Sequence, residues 1–354
     1  MTRAPSRREV LAQAAALAAF PALAHAQERP LNRIAFGACA RQTKAQPIWT
    51  EIAALRPDLF IALGDNIYAD AETPERFGAC YAALAAKPEF AAFRAATPIR
   101  AIWDDHDYGV NDGGADYPLK HDARAAFCDF WNEPADSPRR TQEGGVFTAE
   151  TFGPPGRRVQ IILPDLRWNR TALVSRSRGW ARYAGWALQR RLRGLDVPGP
   201  YGPNPDPAAS LLGEAQWRWL EAQFAIHADL RIVCSSIQVL ADKAGWEGWE
   251  NFPGDYARLM RLIGDAPNVV VISGDVHFGE VSRLDRVGAA PLIEITSSGL
   301  TEVWPVQPPN GRRVGAYRGR NFGMLDIDWD ARSVVAQVRD RRGAVRLSET
   351  IAFG

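Results

Sequence analysis

Side chains able to hold a metal ion recur directly after apolar, strand-like runs. Cys39 follows Ile34-Ala-Phe-Gly-Ala38, Asp65 follows Leu59-Phe-Ile-Ala-Leu-Gly64, and Asp104, Asp105, His106 and Asp107 follow Ile102-Trp103. Asp165 follows Ile161-Ile-Leu-Pro164, and Asp275 with His277 follows Val270-Val-Ile-Ser-Gly274. A single aspartate in such a place is an ordinary turn residue. Five such junctions, two of them with histidines in acid-rich loops, are hard to assign to turns. Clustered carboxylates repel one another and are costly to bury unless a cation neutralises them. A metal cluster at a shared rim is the economical reading. His121 lies in a polar, helical context and His227 follows an amphipathic helix, so both are expected on the surface.

The elements that must carry these residues alternate strand with helix, the pattern of α/β architecture. Strands are expected at Arg33–Ala38, Leu59–Leu63, Ile99–Trp103, Val159–Leu163, Ile232–Leu240 and Asn268–Ser273. Helices are expected at Pro47–Leu55, Lys120–Trp131 and Glu214–Ile226, the last with Trp217, Leu220 and Phe224 on one face. The carboxyl ends of strands in an open α/β sheet form its ligand crevice. Further strands at Leu292–Thr296, Phe322–Asp328, Ser333–Arg339 and Val345–Ala352 are joined by short turns, so antiparallel pairing is expected for this C-terminal part.

The chain has 354 residues, 42 Lys plus Arg against 41 Asp plus Glu, 46% hydrophobic and 23% charged residues. Such a balance excludes a disordered or fibrous chain and gives no overall field that would draw it to nucleic acid or acidic membranes. No stable nucleic-acid complex is expected. Residues 1–26 read as an export leader. Arg7 and Arg8 precede the apolar run Leu11–Leu23, and Ala24-His25-Ala26 offers a cleavage site. The twin arginine resembles a Tat signal, which implies the Tat machinery as a partner and a periplasmic or secreted product. The run is too short to span a bilayer, and no later stretch approaches the roughly 20 apolar residues required. Residues 27–354 are expected to form one domain. The four cysteines, Cys39, Cys80, Cys128 and Cys234, form no CxxC pair; pairing of Cys80 with Cys128 stays open, and Cys234 reads as a small core residue.

Phe36-Gly-Ala-Cys39, Leu63-Gly-Asp-Asn-Ile-Tyr68, Trp103-Asp-Asp-His-Asp107 with Asn111, Asp165-Leu-Arg167, Gln216-Trp-Arg-Trp-Leu220 and Ser273-Gly-Asp-Val-His277 stand in the order seen in PhoD-like alkaline phosphatases, and the chain resembles that family from about Ile34 to Glu280. The resemblance implies a four-layer α/β/β/α metallophosphoesterase-like sandwich, hydrolysis of small-molecule phosphate esters, and export. It implies ferric iron and calcium as cofactors, with zinc, manganese and magnesium left open. Departures lie in Gly64-Asp-Asn-Ile-Tyr-Ala-Asp70, Asp104-Asp-His-Asp107 and Leu166-Arg-Trp-Asn-Arg170, where the family's wording differs. Residue 27 lies about seven residues before the first strand, so the N-terminal β-sandwich found in many members is not expected.

Two cations can hold a phosphate, generate a hydroxide at neutral pH and stabilise a leaving oxygen. Asp65 is the candidate bridging carboxylate. Cys39 and Tyr68 resemble the family's ligands for a ferric ion, and as anionic donors they suit it. Asp105, Asn111, Asp275 and His277 offer oxygen and imidazole donors to one or two further ions. His106 is the candidate proton donor to the leaving oxygen or holder of the phosphate, and Arg167 the candidate fork onto the non-bridging oxygens. Plainer readings stay open: Cys39 as a small buried residue, Tyr68 as a core aromatic, Arg167 as a structural partner of Asp165, Asp107 and Asp112 as orienting groups. The region from Arg167 to Gly213, rich in Arg, Trp, Gly and Pro, is expected to be a flap beside the site. A phospholipase of the D type and an exported protein that binds phosphate or metal without turnover are the alternatives to a phosphomonoesterase or phosphodiesterase.

Overall fold

The computed structural model describes residues 29–176 and 179–354. The leader expected over residues 1–26 lies outside them. Two mixed sheets dominate the described chain. The first runs β15 (Val345–Ala352), β14 (Ser333–Asp340), β13 (Asn321–Asp328), β1 (Arg33–Gly37), β2 (Leu59–Leu63), β3 (Ile99–Ile102). The second runs β12 (Arg313–Tyr317), β10 (Gly279–Arg286), β11 (Ala289–Ser297), β9 (Val269–Ser273), β8 (Leu230–Cys234), β5 (Val159–Leu163), β4 (Thr148–Phe152). A small ribbon pairs β6 (Val174–Ser175) with β7 (Tyr201–Gly202).

Period-two alternation distributes each central strand between two layers. Ile161, Leu163, Ile232, Cys234, Val270 and Ile272 turn to the interior that the second sheet shares with Ile34, Ile61 and Leu325 of the first. Their neighbours Ile162, Val233, Val269 and Val271 gather instead with Trp217 and Leu220 of helix Gly213–Phe224 and with Leu259 and Ile263 of helix Pro253–Gly264. On the other side, Trp49 of helix Ile48–Ala54 sets its ring 5.2 Å from Phe60 of β2 and from Phe90 and Phe93 of helix Pro88–Ala96. Each such aromatic pair adds about 1 kcal/mol to the area it buries. The layers are therefore helix, sheet, sheet, helix, as the resemblance implied.

This arrangement aims the ligand-bearing loops at one rim. β1, β2 and β3 are parallel, with Gly37 beside Ala62 and Leu63 beside Ile102. β5, β8 and β9 are also parallel, with Ile162 beside Val233 and Cys234 beside Ile272. Their carboxyl ends meet where the two sheets face each other.

Two expectations need correcting. The apolar run Ile232–Leu240 is a strand only as far as Cys234. Beyond it, Val239 and Leu240 donate their backbone N–H groups to the Glu294 carboxylate, at 2.8 and 2.5 Å. Ile237, Val239 and Leu240 are apolar because they are buried, and their backbone is satisfied by a side chain. The C-terminal strands also divide. β13, β14 and β15 pair antiparallel as expected, but β11, which contains Leu292–Thr296, joins the second sheet, parallel to β9 and antiparallel to β10. All four cysteines are buried and unbonded, so the open Cys80–Cys128 pairing is not made.

Candidate metal centre and active site

The chain turns sharply after β1, β2 and β9, and the turning residues are expected ligands. Cys39, Asp65, Asp275 and His277 have φ of 65°, 50°, 69° and 60°. This is the left-handed region that non-glycine residues seldom occupy, at a cost on the order of 1 kcal/mol each. Gly64, at φ 101°, lets the β2 end pass under Asp104; a Cβ there would lie 2.4 Å from that of Asp104. Asp107 then fastens the turn, accepting from the backbone N–H groups of Asp65, Asn66 and Asp104 and from Asn66 Nδ2. It is an orienting group, the plainer reading left open for it.

The turns bring the donors together. Cys39 Sγ lies 3.4 Å from Asp65 Oδ2, and Tyr68 Oη 3.1 Å from His277 Nε2. Ser298 Oγ, 3.0 Å from Cys39 Sγ, also accepts from the His277 N–H and ties two of these turns. Ligand atoms within 4.8 Å of one another form four overlapping groups: Cys39, Asp65 and His277; Asp65, Asp105 and His106; Asp104, Asp105 and Asp275; Asp105, Asp112 and Glu247. Asp65 is common to two of them and Asp105 to three. Asn111 stands beside Asp112, donating to its carboxylate at 2.8 Å, and lines a cavity above these groups. His121 and His227 are exposed, as expected.

The electrostatics match a cation site. Burial pushes the Asp65 and Asp275 carboxyls well above the carboxylate range and raises Asp104 to about 8. Burial and the neighbouring Asp65 push the Cys39 thiol and the Tyr68 phenol up as well. Asp105 is the exception: burial works against its charge, but Arg167 and His106 hold it down to about 2. Burial lowers His277 to about 4, leaving the neutral imidazole that a metal ligand requires. One Asp104 oxygen, Oδ2, is buried without a hydrogen-bond donor. So many buried acids can ionise together only around positive charge, and thiolate, phenolate, imidazole and carboxylate donors suit metal ions. The residues fit the group.

A cavity of about 290 Å³ opens over this cluster. Trp180, Trp246 and Trp304 stand at its mouth, with Trp246 ring centroids 6.2 Å from Trp180 and 6.5 Å from Trp304. Trp180 belongs to the expected flap, in which a helix runs Trp180–Leu192. Glu247 and these tryptophans were not legible as site residues, because no strand precedes them. Asp104 was visible only as part of its acidic run.

The placement of Arg167 corrects an expectation. Its guanidinium is fully buried, with Nε 2.6 Å from Asp104 Oδ1 and Nη1 2.7 Å from Glu247 Oε2, and it does not line the cavity. It neutralises the carboxylates under the site and is not presented to a phosphate. Asp165 accepts from the backbone N–H groups of Val146, Arg167 and Trp168, at 2.8, 2.9 and 3.0 Å, and not from the Arg167 guanidinium, so the side-chain pairing left open between them is not made either.

Two sheets between helices, with an acid and imidazole cluster where parallel strands end, define a metallophosphatase fold. Solved structures agree. The chain superposes on "Structure of PhoD" with a TM-score of 0.66 at 16% identity, over 92% of this chain and 69% of that one. It superposes on a purple acid phosphatase from yellow lupin (Lupinus luteus) seeds with a TM-score of 0.60 at 14% identity, over 92% and 54%. For a dimetal phosphatase from Danio rerio the TM-score is 0.54 at 15% identity, over 92% and 100%. No curated protein matches the sequence. The model of the PhoD-like phosphatase family matches residues 34–314, and the chain belongs to that family. It is a metal-dependent phosphoesterase.

Proposed function

We propose that the protein is an exported phosphomonoesterase or phosphodiesterase whose centre holds ferric iron and calcium. The observation that carries this reading is the sharing of Asp65 and Asp105 among adjoining ligand groups, which suits two or more ions held side by side. Cys39, Tyr68 and His277, with Asp65, supply the thiolate, phenolate and imidazole donors that favour a highly charged transition metal. Asp105, Asn111 and Asp275 supply the oxygen donors that favour calcium. Such ions, when bound, neutralise the phosphate and acidify a water molecule.

The chain's own residues would do the rest. His106 lines the cavity beside Asp65 and Asp105, where it would hold the phosphate or give a proton to the leaving oxygen. The three tryptophans narrow the mouth around the alcohol portion of the ester. Arg7 and Arg8 are the determinants of Tat export in this reading.

The test is elemental analysis of the purified mature protein, with assays on an aryl phosphate monoester and a diester. Iron and calcium are expected, and hydrolysis should disappear on chelation. Asp65→Ala should lose metal and turnover together. Hydrolysis undiminished in Asp65→Ala would overturn the assignment, and iron absent from active protein would overturn the ferric part. Replacing Arg7 and Arg8 by Lys should keep the protein in the cytoplasm; unchanged export would exclude the Tat route.

A further inference from the structure

The helix Trp180–Leu192 carries exposed apolar residues along its outer side. Tyr183 is its buried residue, turned inward. On the outer side Trp180, Ala184, Leu188 and Leu192 follow one another at four-residue steps, which places them in one slanting stripe. Trp180 is 60% exposed, Leu188 58% and Leu192 79%, and Leu195 just beyond the helix is 48% exposed. Surface leucines and tryptophans are ordinary one at a time; a stripe of them marks an interaction site.

Charge narrows the partner. Arg182, Arg190, Arg191 and Arg193 lie in the same segment, and from Gly179 to Leu195 there is no acid. Arg191 is exposed and falls on the stripe beside Trp180 and Ala184, while Arg182 and Arg193 are exposed on the far flank, beyond Leu192 and Gln189. A second copy packed on this face about a two-fold axis would bring arginine against arginine. A nucleic acid would satisfy the arginines and leave Leu188 and Leu192 in water. A helix with an apolar stripe beside arginines, and tryptophan at its edge, suits the boundary of a bilayer with anionic headgroups.

We propose that the helix Trp180–Leu192 docks the protein on anionic lipid surfaces. Trp180 belongs both to the exposed stripe and to the wall of the metal cavity, so docking sets the mouth of the cavity at the headgroup level. The docking itself needs neither metal nor turnover, and its test therefore stands apart from that of the hydrolase.

The experiment is sedimentation of the full mature protein with vesicles of phosphatidylcholine alone or of an equimolar mixture with phosphatidylglycerol. Binding is expected on the mixed vesicles, with a shift of tryptophan emission to the blue, and should weaken as salt is raised. Leu188→Asp with Leu192→Asp should cut the bound fraction about tenfold or more, since charges on the apolar face cannot enter the interface. Arg182→Gln with Arg193→Gln should reduce binding to the mixed vesicles and supplies a second arm if the aspartate variant melts early. No sedimentation with the mixed vesicles, or equal binding by parent and both variants, would overturn the proposal. So would a dimer in light scattering that Leu192→Asp dissolves, or tight binding of a single-stranded oligonucleotide that is indifferent to the leucines.

Discussion

His106 is bordered by three acids and one aromatic ring. Its Nδ1 lies 2.6 Å from Asp70 Oδ1, its ring stacks 4.3 Å from Tyr68, and its backbone N–H reaches both Asp65 and Asp105. Burial opposes a positive imidazole here, but Asp65 and then Asp70 outweigh it and raise the group to about 10. Asp70 itself is held at φ 43°, so the loop accepts strain to bring this carboxylate to the ring. The expected consequence is a division of labour between neighbours. His106→Ala should cost on the order of 10²-fold to 10⁴-fold in turnover, as loss of a proton donor does, with metal content largely retained. Asp70→Asn should cost less, and should act most on esters of poorly leaving alcohols. Single-turnover rates on a graded series of leaving groups, beside metal analysis, check both; equal metal loss in His106→Ala and Asp65→Ala would make His106 a ligand first.

At the scale of elements, the junctions after β1, β2, β3 and β9 were legible because an apolar run of four to six residues is followed at once by a donor. Cys39, Asp65, Tyr68, Asp105, Asp275 and His277 come together at one rim for that reason. Glu247 was not legible, since it stands in the loop Ala244–Trp249, where no periodicity announces a site. Arg167 was visible as a candidate for a phosphate fork, and only the fold reveals that Asp104 and Glu247 enclose it. The same limit applies to Val239 and Leu240, whose apolarity signals burial while their backbone is served by Glu294. That carboxyl, raised by burial to about 7 from an ordinary 4.5, has a sign that can be worked out. Because its affinity for a proton is higher in the folded state, it favours folding fully below about pH 4.5, and the benefit is lost as pH rises through about 7. Glu294→Gln should remove the term. The unfolding free energy of the parent, measured against the variant in urea, should therefore decline by roughly 3 kcal/mol from acid to alkaline pH.

For the molecule as a whole, the two sheets are fastened at their rims as well as through the core between them. Asp104, which follows β3 of the first sheet, takes hydrogen bonds at 2.6 Å from Arg167 after β5 and from Ser236 after β8 of the second. Glu247 lies between Arg167 and Arg170, at 2.7 and 2.9 Å. All these charges are buried, so removing one partner strands the others. Arg167→Met should cost about 3–5 kcal/mol and lower the melting temperature markedly, whether or not substrate is present. A direct phosphate contact would instead raise KM with little effect on melting, and calorimetry beside kinetics separates the two outcomes.

The unbonded state of the four cysteines reaches furthest beyond the site. Among the described residues the fold is closed by packing and buried ion pairs, without a disulfide. In the proposed centre the thiol at position 39 is a metal ligand, so its oxidation should cost metal and turnover together.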